Sequence, residues 1–382
     1  MIYMDNAATT RVKAEVLQAM LPFFCEDYGN PSSVHAPGRA ARKACEAARR
    51  QAASYLGAEA REIYFTSCGS ESDTWAVLGS AYAPGNTRRT LVTTQIEHKA
   101  VLNAAKNLER NGLCVRYVPV DAQGMVDMSA LENTVDKDTF LVSVMAANNE
   151  TGGIQDIARA AQIAHDAGAL FHTDAVQAAH SCRGILSTQS IDMLTLSAHK
   201  LHGPKGCGIL YIKEGVELGS TVFGGSQERG RRGGTENLPS IVGAGKALEL
   251  LSTDGKSEYV AALRARLENG ILGNIPGTHI NGQPDARVPG ISNITFDGVD
   301  GEALLLNLDL KHICVSAGSA CTSGSVDPSH VLIAMGKTRE QAQSSVRFSL
   351  SDENTAQEVD TVIETLIEIT HRLRKMSNSY GR

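Results

Sequence analysis

A lysine, an aspartate, a histidine and a cysteine, each set in a distinctive local sequence, could do chemistry together in this chain. Lys200 lies in Ser197-Ala198-His199-Lys200-Leu201-His202-Gly203, straight after an apolar run over residues 191–196 that reads as a buried strand. A lysine at the carboxyl edge of a strand can shed its proton and form a Schiff base with a carbonyl. Ser197 and His199 flank it with a hydroxyl and an imidazole, both suited to a phosphate oxygen. Asp174 ends a second apolar run, 169–173, with Gln177 close behind it. A carboxylate there can pair with a protonated ring nitrogen, or simply cap the helix that follows. Gly69 and Ser70 sit between a strand and a helix pattern, where free N–H groups and a hydroxyl make either a phosphate cradle or an ordinary cap. His98 follows another strand pattern and can stack on a flat ring or be structural. The amides of Asn148-Asn149 can bind an oxygen or form a turn. Cys321 is the one cysteine in a loop of tiny residues, 316–325, where an exposed thiol can act as a nucleophile. Lysine, hydroxyl, imidazole and glycine turn together suggest pyridoxal phosphate, the alternative being a strand end and glycine turn that carry a surface lysine.

These side chains need a scaffold that brings strand ends together. From about residue 60 the sequence alternates strand patterns (62–66, 90–94, 140–145, 169–173, 191–196) with helix patterns starting at Ser70, near His98 and over 157–167. A further strand, 207–212, is expected to turn back beside its predecessor. Such alternation predicts a mostly parallel sheet covered by helices. The pattern changes after Gly225. A glycine- and arginine-rich loop, 229–234, leads to helices over 239–251 and 259–272. Short strands (292–296, 345–349) and helices (302–308, 356–376) follow. This predicts a smaller α+β domain from about residue 255, with the N-terminal arm packed against it.

Composition narrows the function. The chain has 382 residues, 42% hydrophobic and 20% charged, with a formal charge of −6. That balance gives no footprint for direct binding of nucleic acid or acidic membranes. No apolar run is long enough to span a bilayer, and the N-terminus carries no signal-peptide core, so the expected location is the cytoplasm. The eight cysteines form no C-x-x-C pair, and no metal site is expected.

Taken together, these segments resemble the cysteine desulfurases of the NifS/IscS type, pyridoxal phosphate enzymes of the class V aminotransferase group. The likeness runs nearly end to end, through Asp5–Thr10, Asn30–Ser33, Thr66–Asp73, Glu97–Val101, Asn148–Gly152, His172–Gln177, Ser197–Gly208, Arg232–Thr235 and Ser316–Ser323. It implies an α/β, fold-type I architecture: a large cofactor-binding domain, residues 15–254, with a mostly parallel seven-stranded sheet, and a small domain, residues 1–14 and 255–382, carrying a mobile cysteine loop over 316–330. It implies Lys200 as the Schiff-base lysine, with Gly69, Ser70, Ser197 and His199 around the phosphate. Asp174 would pair with the pyridine nitrogen, His98 stack on the ring as a catalytic residue, and Gln177 meet the phenolic oxygen. Asn149 and Arg347 would clamp the substrate carboxylate, with Asn149 also beside the cofactor, and Thr235 would reach in from the other subunit of a homodimer. The implied reaction converts L-cysteine to L-alanine and leaves a persulfide on Cys321. Its sulfur then passes to an acceptor protein, an iron–sulfur scaffold or a tRNA-thiolating enzyme. This chain departs from the family pattern in having Cys68 for glycine, Ser70 for threonine and Thr74 for asparagine. Selenocysteine lyase, cysteine-sulfinate desulfinase and plain aminotransferase are the competing enzymatic readings, and a non-catalytic sulfur carrier is the non-enzymatic one. Cys321 separates the first reading from a transaminase, which has no use for it.

Overall fold

A computed structural model describes residues 1–253, 255–317 and 327–376. Cys321 and most of the loop around it lie outside the described residues. Among the described residues twelve strands occur in the order β1 (Ile2–Tyr3), β2 (Ile63–Thr66), β3 (Thr90–Thr94), β4 (Cys114–Val118), β5 (Thr139–Ser143), β6 (Leu170–Asp174), β7 (Met193–Ser197), β8 (Gly208–Ile212), β9 (Thr278–Asn281), β10 (Ile291–Phe296), β11 (Ile313–Cys314) and β12 (Ser345–Ser349).

Seven of them form one sheet, in the order β2-β8-β7-β6-β5-β3-β4. Only β8 runs against its neighbours, pairing antiparallel with both β7 and β2. Strands β3, β5, β7 and β8 are buried along their whole length. Their short apolar and β-branched runs suit a parallel sheet covered on both faces. The order places the carboxyl ends of β6 and β7 side by side, with Asp174 paired to Thr195.

Strand β4 gives no apolar run, because it is the sheet edge and much of it is exposed or half-buried. The 21-residue helix Ala36–Leu56 is also absent from the sequence reading. Its buried face is built of Ala41, Cys45, Ala48 and Ala52, residues too small to mark a strong apolar stripe. Its ends are clear: His35 caps the start, and Gly57 ends it at φ 78°, a left-handed conformation that glycine adopts without strain.

A second core gathers Val260, Leu267, Ile294, Phe296, Val346, Phe348, Val362 and Leu366 around the antiparallel sheet β12-β10-β9. The N-terminal arm runs between the two cores. β1 pairs in parallel with β11, and Met4 is buried in the second core. Three residues later Ala7 is buried in the first. The Ser349 hydroxyl accepts from the Ala7 N–H at 2.9 Å, and Thr10 N–H donates to the His199 carbonyl at 2.9 Å. No described helix is long and apolar enough to cross a membrane.

Candidate active site

Strand β7 ends at Ser197, and a single 3-10 turn, Ala198–Lys200, swings the lysine back over the sheet edge. Lys200 Nζ donates to the Ala7 carbonyl and to the Ala8 carbonyl, the latter at 2.8 Å. The arm therefore holds the amine against the mouth of a cleft of about 1000 Å³. That cleft is also lined by Gly69, Ser70, His98, Asn149, Asp174, Gln177, Ser197, His199 and Arg347. Residues spread over nearly 300 positions meet here because four strand ends and the start of one helix open into the same space.

Asp174 is 5% exposed, and burial raises its carboxyl above the usual range, against the pull of His98 and Lys200. The Val176 N–H donates to its Oδ1 at 2.9 Å. A buried carboxylate in this position is completed by a cationic hydrogen-bond donor, which a protonated pyridine nitrogen is. His98 caps the helix Lys99–Arg110, its Nδ1 accepting from the Ala100 N–H at 3.2 Å. Gln177 Nε2 donates to the Ala7 carbonyl at 2.9 Å, on the same wall as Lys200.

The opposite end suits a phosphate. Helix Gly69–Ala81 starts there after Cys68, whose side chain makes no cap, so the N–H groups of its first turn face the cleft. The Ser197 hydroxyl oxygen is buried with no hydrogen-bond partner. A Cβ on Gly69 would lie 3.2 Å from Val176 and 3.3 Å from the Ser197 Cβ, so any larger residue would push these side chains aside by a few tenths of an ångström. Burial, helped by Lys200 and Lys205, draws His199 down to about 4. Its ring is therefore neutral near pH 7, with Nδ1 3.2 Å from the Thr9 hydroxyl. An unpartnered hydroxyl, an open helix start and a lysine amine with a buried carboxylate beyond it fit pyridoxal phosphate.

Arg347, on β12, is 1% exposed. Its Nη1 donates to the Asn149 carbonyl and its Nη2 to Asp5 Oδ1, both at 2.9 Å. A guanidinium held this way on the cleft wall can receive a small carboxylate. Cleft residues that local sequence does not single out are Asp73, Lys99, Glu150 and His330. His330 is drawn down to about 4 by burial, and its Nε2 meets the Glu97 carbonyl at 3.0 Å. No motif marks it, because its place depends on the fold bringing residue 330 back to residue 97. Thr235 is not part of this cleft. It is exposed and lines a separate recess with Ser67, Glu228 and Arg232.

Comparison with known proteins agrees with this geometry. The aminotransferase class-V family profile matches residues 2–362. Cysteine desulfurase 2 of Trichormus variabilis is 51% identical over 377 residues, covering 98% of this chain and 94% of its own. Cysteine desulfurase IscS of Methanosarcina thermophila is 48% identical over 378 residues, covering 98% and 93%. Among solved structures, a NifS-like protein superposes with a TM-score of 0.91 at 41% identity, covering 97% of this chain and all of that one. A NifS-like protein from Rickettsia africae superposes at 0.86 with 33% identity, covering 97% and 99%. The strand order, the Lys200 cleft and these likenesses converge: the chain belongs to the aminotransferase class-V family, among the pyridoxal phosphate-dependent cysteine desulfurases of the NifS/IscS type.

Proposed function

We propose that this protein takes sulfur from L-cysteine, yielding L-alanine and a persulfide on Cys321. The observation that carries the reading is the meeting of Lys200, Asp174, His98 and Arg347 in one cleft. Gly69, Ser70, Ser197 and His199 would hold the phosphate, His98 the ring face, Asp174 the ring nitrogen and Gln177 the phenolic oxygen. Pyridoxal phosphate bound there supplies an electron sink for the charge that develops on the substrate when its α-proton leaves.

The chain's own groups do the rest. Arg347, with Asn149 beside it, orients the substrate carboxylate and so fixes which bond at the α-carbon faces Lys200. Lys200 in its neutral form removes the α-proton. The Cys321 thiolate attacks the substrate sulfur, so that an S–S bond forms as the C–S bond breaks. The bonding pair stays with carbon, which is then protonated to give alanine. We read the two cores as two domains, 15–254 and 1–14 with 255–382, the second bringing Arg347 and the cysteine loop to the first. Thr235 would complete the phosphate site of a second copy in a homodimer. A sulfur-acceptor protein would then collect the persulfide.

Wild-type protein reconstituted with pyridoxal phosphate should be yellow, bleach with borohydride and form alanine from L-cysteine. Lys200→Ala should lose the covalent link and the alanine together. A wild-type protein that stays colourless with the cofactor would refute the reading.

A further inference from the structure

Behind Asp174 lies a second buried carboxylate that the reaction outlined above does not use. Asp73, in helix Gly69–Ala81, is 1% exposed. Asp73, His98 and Asp174 each offer an atom within 4.8 Å of the other two. Two carboxylates this close, cut off from water, cannot both carry charge.

The surroundings decide which one holds the proton. Asp174 has the Val176 N–H on Oδ1 and feels His98 and Lys200, all favouring its charged form. Asp73 Oδ1 has no hydrogen-bond partner. The groups facing Asp73 are Asp174, Glu97, Cys68, the Thr195 hydroxyl, His172 and His98. Thr195 is the hydrogen-bond donor that favours an anion there, while the pull of His98 falls on Asp174. His172 Nε2 stands 3.7 Å from Asp73 Oδ1, but that ring is fully buried between Ser143 and Thr195 and is pushed down to about 3, so it brings no charge. Burial and Asp174 both raise Asp73, and Glu97, itself lifted to about 8 by burial, adds to that only where it ionises.

We propose that Asp73 is a positioning residue for the cofactor's ring nitrogen: it keeps the single proton of the Asp73–Asp174 pair and so reserves the negative charge for Asp174. The inference rests on the pyridoxal phosphate reading for its purpose, but the location of the proton can be tested without cofactor.

The direct test is carbon NMR of the cofactor-free wild-type protein labelled at the aspartate carboxyl carbon. One buried aspartate should still be a carboxylic acid at a pH where exposed aspartates are fully ionised, and Asp73→Asn should remove that signal. The same protein gives a stability readout. A carboxyl whose folded pKa lies above its unfolded value loses stability as pH rises from the unfolded pKa, about 4, toward the folded one. Asp73→Asn should therefore flatten the fall of Tm with pH, whereas a merely structural role would lower Tm by the same amount at every pH. With cofactor, Asp73→Asn should keep the visible band and its pH profile, with affinity within about threefold, since a neutral isostere replaces a neutral acid. Asp174→Asn should lose both. Absence of a protonated aspartate in the wild-type protein would overturn the proposal. So would an Asp73→Asn variant whose cofactor band titrates a unit or more away from the wild type. Failure of the wild type to bind pyridoxal phosphate would refute the functional reading alone, because the NMR signal does not depend on it.

Discussion

Lys200 and Cys321 are the residues whose roles separate most cleanly. In the proposed reaction Cys321→Ser removes the attacking thiol and changes none of the residues lining the Lys200 cleft. That variant should bind cofactor normally and still change its absorption on adding L-cysteine, yet form alanine at least about a hundredfold more slowly. Near-normal alanine production would mean that sulfide leaves without the thiol. Lys200, Asp174, Gly69 and Ser70 are legible from sequence because each sits in a short run whose strand-turn pattern is local. Asp73 and His330 are not legible. Asp73 reads as an ordinary polar residue of a helix, and only the closeness of Asp174 gives its acid meaning. The hold of Ala7 and Ala8 on Lys200 is made by backbone carbonyls, which residue type does not encode.

At the scale of elements, the segment bearing Thr235 is shaped by a buried ion pair. Arg49, from helix Ala36–Leu56, makes two bonds to the Glu228 carboxylate, at 2.8 and 2.9 Å. Glu228 Oε2 also accepts the Phe65 N–H at 3.1 Å. Glu228 and Arg229 both take left-handed conformations, at φ 43° and 59°, so the chain bends where the pair anchors it. Further along, Arg232 grips Glu71 with two bonds, at 2.8 and 3.0 Å, tying the segment to the first turn of helix Gly69–Ala81. Glu228→Gln leaves buried Arg49 with only the half-exposed Glu46, 3.1 Å from its Nε, as counter-charge, and should cost about 3 kcal/mol, read by urea unfolding. An effect under about 1 kcal/mol would show that water reaches the pair. Sequence revealed this segment only as a polar, glycine-rich loop, because both anchoring partners lie more than 150 residues away.

For the molecule as a whole, Asp352 is the ionic hub between the cores. Its carboxylate lies 2.8 Å from Lys256, 3.3 Å from Lys13 and 3.6 Å from His202, and it is held down to about 2 despite burial. A depressed folded pKa stabilises above the unfolded value, near 4, and that stability is lost as pH falls toward 2. Asp352→Asn should therefore cost about 1–2 kcal/mol at neutral pH, after allowance for solvent screening, with the difference closing below about pH 3. Parallel unfolding curves down to pH 2 would remove Asp352 from that role. Assembly of two copies is the other expectation at this scale. Light scattering should give a dimer, and Thr235→Ala should weaken cofactor binding without dissociating it. A fully active monomer would leave Thr235 with no part in the site. The sheet was legible from its apolar runs, apart from β4 at its edge and the helix Ala36–Leu56 beside it, whose buried surfaces carry little apolar signal.

The arm that runs from Met4 to Thr10 has a consequence for the order in which this protein is made. Its partners are Cys314 and Ser349 at one end and His199 and Lys200 at the other. The arm leaves the ribosome well before its partners and is thus among the last segments to find its place, waiting for nearly 350 residues of later synthesis. Until then the Lys200 amine lacks two of its carbonyl partners, and the cleft lacks a wall. Nascent chains stalled short of Ser345 should keep an arm that a protease trims, while chains released after Met376 should protect it. Equal trimming in both would mean that the arm docks on the first core alone.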